Sequence, residues 1–437
     1  GAGGMLKATV EDGSEITSGK TIEHGKTVAF TATPDAGYRV KGWTLDGTAI
    51  AEAGTNTEYT LTVTKPATIT VSFEPKKALL TLEAGKNTVK VKAKTADGSA
   101  IKVEGCNVNE LANEAETTLT VTNPERKLAL IGDIIELDCS GEKTPGGNRP
   151  LIALDVSGLT ALQKLNCQFN FITELDVQGL TALQELYCRT NQIPELNVQG
   201  LTKLQKLYCQ GNKLATLNAS ECTALKELNC YSNRELSTLD VQGCATLQKL
   251  NCRNNKILEL NVQGLTSLQE LICHTNQLTA LNVQGLTALQ ELSCENNQLT
   301  TLNVQGLTAL QKLDCYNNQL TDLDTSGLTT LKTLGCNGNQ LASLNLSGCT
   351  ALENLGCFIN RLTALNVQGL TSLETLGCHG NQLTTLDISG LTALNRLSCY
   401  NNKINAEEMT KLLKALPDRE ASDGAKATLY TEKTDVT

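Results

Sequence analysis

At 437 residues, 40% hydrophobic but only 3% aromatic, the chain is long enough for a large core that must be built from Leu rather than from rings. Lys+Arg 37 against Asp+Glu 46 give a net charge of −9 with no basic block, which removes the electrostatic basis for nucleic-acid binding. No apolar run approaches the roughly 18–20 residues that span a bilayer, so no transmembrane segment is expected.

Gly1 to Gly4 read as residues appended ahead of the natural sequence, and an export signal is expected to have been removed. Residues 5–75 then alternate apolar and polar positions between Gly, Asp and Pro turns, the pattern of short half-buried strands. The run GKTVAFTATPDAGYRVKGWTLDG followed by ATITVSFEP resembles the divergent internalin B-repeat, a small β-rich module of bacterial cell-surface proteins. The resemblance implies a spacer or stalk and carries no site residues. Trp43, the only Trp, reads as the core anchor of this 1–75 module, and His24 as a surface residue.

Residues 76–133 form a second β-rich stretch (ALLTLEAG, NTVKVKAKT, TTLTVTN, KLALIGD) expected to cap a solenoid, whose open end exposes apolar surface and unpaired strand edges. From 134 to 404 the chain repeats. The unit is LQELSCENNQLTTLNVQGLTA, Leu289 to Ala309, with apolar residues at Leu289, Leu292, Cys294, Leu299, Leu302, Val304 and Leu307. That spacing fits neither one helix nor one strand, so the chain turns within each copy, and copies fold only by stacking. Ile134, Leu137 and Cys139 start the array, the insert EKTPGGNRP interrupting its first coil as a surface loop.

Twelve cysteines, from Cys167 to Cys399, recur every 21 residues with a single spacing of 22 between Cys230 and Cys252. Cys222, Cys244 and Cys349 fall where other copies carry Leu, so Cys stands in as a small apolar residue. Free, buried, inert thiols are expected, with no metal site, because no CxxC pair exists. The motif Leu289-x-x-Leu292-x-Cys294-x-x-Asn297-x-Leu299 resembles the leucine-rich repeat, and the short coil with LNVQG or LDVSG on its return side resembles the repeats of internalins. The expected fold is a mainly β solenoid, a right-handed superhelix with a concave parallel sheet, two small β-rich N-terminal modules and a C-terminal capping helix. An Asn column from Asn170 to Asn402 is expected to satisfy backbone groups at the turns, and Gly179, Gly200, Gly243, Gly264, Gly285 and Gly306 mark the opposite turn.

Residues 405–437 read as a second cap: a helix from Ala406 to Leu416 with Asn405 as N-cap, Met409, Leu412, Leu413 and Leu416 on one apolar face, Pro417 closing it, then a strand in AKATLYTEKTDVT.

Function is sought on the outward strand positions. Three residues before each ladder Cys, Lys and Glu nearly alternate, which suits lateral pairing of modest worth. The positions flanking the Cys collect Tyr187, Arg189, Tyr208, Tyr231, Arg253, His274, Tyr316, Phe358, His379 and Tyr400 in a chain poor in rings. Outward Tyr and Arg are enriched at binding hot spots, although such rings also simply stack along a ladder. Gly335, Gly356 and Gly377 on successive coils are expected to open a furrow beside the last three rings. Glu295 and Asp314 read as a solvated acidic patch. No nucleotide loop, nucleophile elbow or zinc-protease motif occurs, so neither catalysis nor a cofactor is expected. The expected function is recognition of a protein or peptide ligand by a monomeric secreted or cell-surface bacterial protein, in adhesion or host interaction. A glycan ligand or a plain spacer are the alternatives.

Overall fold

The computed structural model describes residues 2–35, 37–417 and 424–429, and the chain forms two compact units, Gly1–Leu183 and Gln184–Thr437. In the first unit, strands Gly4–Val10, Glu15–Ile16, Thr27–Pro34 and Glu58–Thr62 make one antiparallel sheet, and Tyr38–Leu45, Thr48–Ala49 and Ile69–Pro75 a second. Ala32, Val40, Trp43, Ile50 and Ala53 form their buried core, with Phe30 and Tyr59 packed against it. Trp43 is the anchor the sequence suggests, and its Nε1 donates to the Asn56 carbonyl at 2.8 Å. Gly3 and Gly4 pack within this module. Gly4 pairs with Pro34, and a Cβ on either glycine would run into Tyr38 or Phe73. A hollow of about 840 Å³ in this module is lined by Ile16, Val28, Phe30 and Leu61 among others, the exposed His24 included.

The following segment closes both sides of the first coil. Thr88–Thr95 pairs antiparallel with Ile134–Asp138, which in turn pairs parallel with Lys164–Asn166, while Lys77–Leu82 pairs antiparallel with Leu151–Asp155. The strand edges that a bare solenoid end would leave open are thereby hydrogen-bonded. Gly37 of the N-terminal module is tied to this segment, its amide donating to Asp133 at 3.0 Å and its carbonyl accepting from the Lys76 amide at 2.7 Å, while Asp133 also accepts from Lys76 Nζ.

In the second unit each coil contributes a three-residue strand, from Glu185–Tyr187 to Arg396–Ser398, in one parallel sheet whose central leucines stand in register. Three residues suffice because the Leu and the following Cys point inward and the chain then turns. The ladder cysteines of this unit are 0–1% exposed, and all seventeen cysteines are free, Cys106 alone not being buried. Burial pushes these thiols up, that of Cys336 to about 12, which leaves them as inert apolar side chains.

The Asn column performs the expected task and does so between coils. Asn318 Nδ2 donates to the carbonyls of Cys315 in its own coil and Cys294 in the preceding one, both at 3.1 Å, while its Oδ1 accepts from Leu299 N at 3.0 Å. At the 22-residue coil the bond shifts: Asn255 Oδ1 accepts from the Asn233 amide, and Leu236 stays buried. Gly264, Gly285 and Gly306 hold φ of 81–82° with open space where a Cβ would be, so backbone conformation and not crowding selects glycine there.

The helix spans Ala406–Lys414, shorter than expected, with Asn405 Oδ1 accepting from Glu408 N at 2.9 Å. Leu412 is buried, but Leu413, about 100° around the helix from it, is 48% exposed. Lys426–Thr428 adds a parallel strand beside Arg396–Ser398; the expected strand beyond residue 429 lies outside the described residues.

Candidate ligand-binding face

Each coil presents outward side chains at the two ends of its strand and directly after the Cys. The next residue adopts left-handed backbone in coil after coil: Asn254, Asn296, Asn317 and Asn401 at φ 50–55°, Gly338 and Gly380 at 64°. Asn and Gly tolerate this conformation. Ile359 does not, yet it holds φ 52° and is 58% exposed beside Phe358. The Asn that follows anchors the turn, so outward side chains sit on a fixed lattice.

The lattice brings the candidate residues into three groups. In the first, Tyr187 and Tyr208 meet edge to face with ring centroids 5.2 Å apart, and each hydroxyl donates to a carboxylate, Glu185 at 3.0 Å and Glu227 at 2.5 Å. Desolvation and Glu227 push the Tyr208 hydroxyl to about 12, so it remains a donor at any ordinary pH. Arg253 lies over the Tyr231 ring, 4.8 Å from its centroid. Lys206 reaches Glu185 and Glu227 at 3.9 Å each, the lateral pairing foreseen for that column.

In the second group the structure corrects the sequence. Glu295 is only 5% exposed and is no solvated acid: Ser293 Oγ donates to it at 2.8 Å, Tyr316 hydroxyl lies at 3.5 Å and His274 Nδ1 at 3.8 Å. Side chains on the flanking coils bury it. Desolvation, opposed by Glu295, lowers the His274 pKa, so the imidazole is neutral near pH 7. Lys312 pairs with Glu291 at 2.8 Å and with Asp314 at 3.2 Å. No group of His, Cys, Asp or Glu able to hold a metal occurs among the described residues.

The third group is a column of rings. Phe358 stacks on His379 with centroids 4.5 Å apart and planes 10° from parallel, and His379 stacks on Tyr400 at 4.4 Å and 13°. Ser398 Oγ stands 3.2 Å from His379 Nδ1. Of the three glycines only Gly335 is tightly crowded, and its neighbour is Asp314 and not a ring of this column. A Cβ at Gly377 would lie 3.4 Å from the Phe358 ring, and one at Gly335 only 2.6 Å from the Asp314 carboxylate. Neighbouring side chains therefore lean over the glycine track, and the furrow is narrower than the residue types suggest. Sequence reasoning placed Glu295 in solvent and did not single out Ser398, whose partner His379 lies one coil away and leaves no local signature.

Comparison with known proteins fits this architecture. The family model of the Divergent InlB B-repeat domain matches residues 5–77, and that of Leucine Rich repeats (2 copies) matches 287–328. Among solved structures, the functional domain of InlJ from Listeria monocytogenes, which includes a cysteine ladder, is 36% identical, with a TM-score of 0.50, over 57% of this chain and 61% of that one. This is an internalin-like leucine-rich repeat protein. The internalin InlF from Listeria monocytogenes is 26% identical over 70% of this chain and 90% of its own, with a TM-score of 0.57. A leucine-rich repeat protein of Leptospira interrogans gives 28%, 63%, 74% and 0.55 for the same quantities. The internalin-like chain spans 61% of the InlJ domain's length. No curated protein matches it. Among the described residues no helix is long and apolar enough to cross a membrane.

Proposed function

We propose that this chain is a bacterial cell-surface or secreted binding protein that recognises a protein or peptide ligand on the outward strand face of its array, in adhesion or host contact. In this reading residues 1–75 serve as a spacer, 76–133 and 405–437 as caps, and 134–404 as the recognition element. The observation that carries it is the concentration of Tyr, Arg, His and Phe on one fixed face, built on three or four successive coils in each group. The internalin relatives support the same class of role.

The ring column weighs against the glycan alternative. Sugars stack on free aromatic faces, but both faces of His379 and one face each of Phe358 and Tyr400 are taken within the stack. Edges beside the exposed Ile359 suit aliphatic and amide groups of a polypeptide. The test is a pull-down with the full chain against host extracellular proteins and a glycan panel, alongside Gly356→Trp and the triple change Tyr316→Ala, Phe358→Ala and Tyr400→Ala. The expected result is a protein partner retained by the native chain and lost by both variants, with the triple variant melting within about 3 °C of native. A partner retained by both variants, or a glycan partner alone, would overturn the proposal.

A further inference from the structure

The four-stranded sheet of the N-terminal module has an apolar face that the module's core covers only in part. Alternation puts Leu6, Ala8, Val28, Phe30 and Leu61 on that face, with Ala8 paired to Ile16 and Phe30, and Val28 paired to Leu61. Ala32 packs with Val40 and Trp43 in the core. Ile16 and Leu61, by contrast, stay half-buried and Leu6 is 39% exposed, and with Phe30 they line the hollow of about 840 Å³. Apolar surface left uncovered is costly in so small a module, which has little else to bury.

The walls of the hollow are polar and held in place. They come from residues 17–22 and 63–68. The Gly25 amide donates to the Val63 carbonyl and the Val63 amide to the Lys26 carbonyl, both at 2.8 Å, while the Thr68 amide donates to Asp46 at 2.7 Å, so both ends of the second wall are pinned. Among the described residues that line the hollow are Lys20, His24 and Lys65 but no Asp or Glu, in a chain where acids outnumber Lys and Arg by 46 to 37. Asp12, outside the lining, draws on Lys20, which leaves Lys65 as the principal anchor. An apolar floor between cationic walls selects a molecule with an aliphatic chain and one anionic end, and the volume falls within the ~300–1,000 Å³ of small-molecule sites. The walls offer amines and hydroxyls but no guanidinium fork, which suits a single carboxylate better than a phosphate.

We infer that residues 1–75 hold one fatty acid in this hollow, its aliphatic chain along Ala8, Val28, Phe30 and Leu61 and its carboxylate on Lys65 and Lys20. This is a function beyond the spacer role, and it does not rest on the strand face of the array. The cationic walls orient the ligand and the chain holds it: each methylene that leaves water for the apolar floor adds about fourfold in affinity until the hollow is full.

The experiment titrates the full chain by calorimetry with octanoate, decanoate and dodecanoate, with dodecanol and dodecyltrimethylammonium as neutral and cationic partners of the same chain length, and with phosphatidylglycerol vesicles. It is repeated on Ala8→Trp, which fills the hollow, and on the double change Lys20→Glu and Lys65→Glu. The inference expects one site per chain, affinity rising about fourfold per methylene from octanoate upward, and dodecanoate at least about tenfold tighter than the ammonium. The lysine changes should weaken dodecanoate about tenfold and leave dodecanol unchanged, whereas Ala8→Trp should abolish binding of both. Lys20 and Lys65 are exposed, so the double variant should melt within about 2 °C of native and keeps the test decisive if Ala8→Trp does not fold. No binding by the native chain, affinity independent of chain length, or equal binding of carboxylate and ammonium would overturn the inference. So would dodecanoate bound undiminished by the lysine variant or by a folded Ala8→Trp, and so would binding confined to the vesicles, which would make this face a bilayer contact.

Discussion

A histidine between two rings makes the proposed face sensitive to pH. His379 is stacked on both sides, and its partial burial lowers its pKa from the usual 6.5. The folded state thus binds a proton less readily than the unfolded chain, so stability is fully present above 6.5 and is lost as pH falls from there through the lowered value. His274 is shifted the same way and adds to the trend. Melting temperatures measured from about pH 7.5 to about pH 5 should fall for the native protein. His379→Phe, which keeps the stack without the titration, should show a shallower fall, and an identical slope in both would contradict this account. Residue types alone reveal such positions only in part. The rings were legible from their column, but the burial of Glu295 and Gln210 was not, because it is produced by side chains 19–22 residues away in sequence that happen to lie one coil over.

At the scale of the coil, the repeat was legible because it is enforced by packing: Leu, Cys and Asn recur wherever a side chain must enter the same layer. The left-handed residue after each outward position left a weaker trace. Asn and Gly fill most of that column, yet Thr190, Ser232, Thr275 and Ile359 adopt the same backbone, since the anchored turn overrides their local preference. What anchors it is the Asn bridge. Asn318→Ala removes Nδ2 donation to Cys294 and Cys315 and frees the Leu299 amide, leaving buried backbone groups unpaired in two coils. At roughly 1–3 kcal/mol for each buried group left unsatisfied, the loss should reach about 3 kcal/mol, read from urea unfolding. Asn318→Asp keeps the acceptor but not the donors and should also destabilise. A loss under about 1 kcal/mol for Asn318→Ala would mean that water replaces the bridge. Glycine shows two different logics in this array: Gly306 answers to its φ of 81°, whereas Gly335 has an ordinary backbone and meets the Asp314 carboxylate, 2.6 Å from where a Cβ would lie. The sequence letter is the same, and only the neighbouring coil distinguishes them.

For the molecule as a whole, a solenoid's stability is the sum of its interfaces, and its ends decide whether that sum stays soluble. The N-terminal end is covered twice, Thr88–Thr95 on the strand side and Lys77–Leu82 on the return side, both by antiparallel pairing that a further parallel coil cannot match in direction. The B-repeat-like module is attached differently, through polar bonds at Asp133, Lys76, Gly37 and Arg39, the last donating to the Ser157 carbonyl at 3.0 Å. Polar attachments between part-buried groups add little beside two full strand pairings. Removing residues 1–75 should therefore leave the array monomeric in size-exclusion chromatography, with its melting temperature within about 5 °C of the full chain. Removing residues 1–133 should uncover Ile134–Asp138 and Leu151–Asp155 as open edges above a leucine layer, and the product should elute as oligomers or precipitate. If the longer deletion remained monomeric and as stable as the shorter, capping would lie within the first coil itself, and the segment from 76 to 133 would be a second spacer.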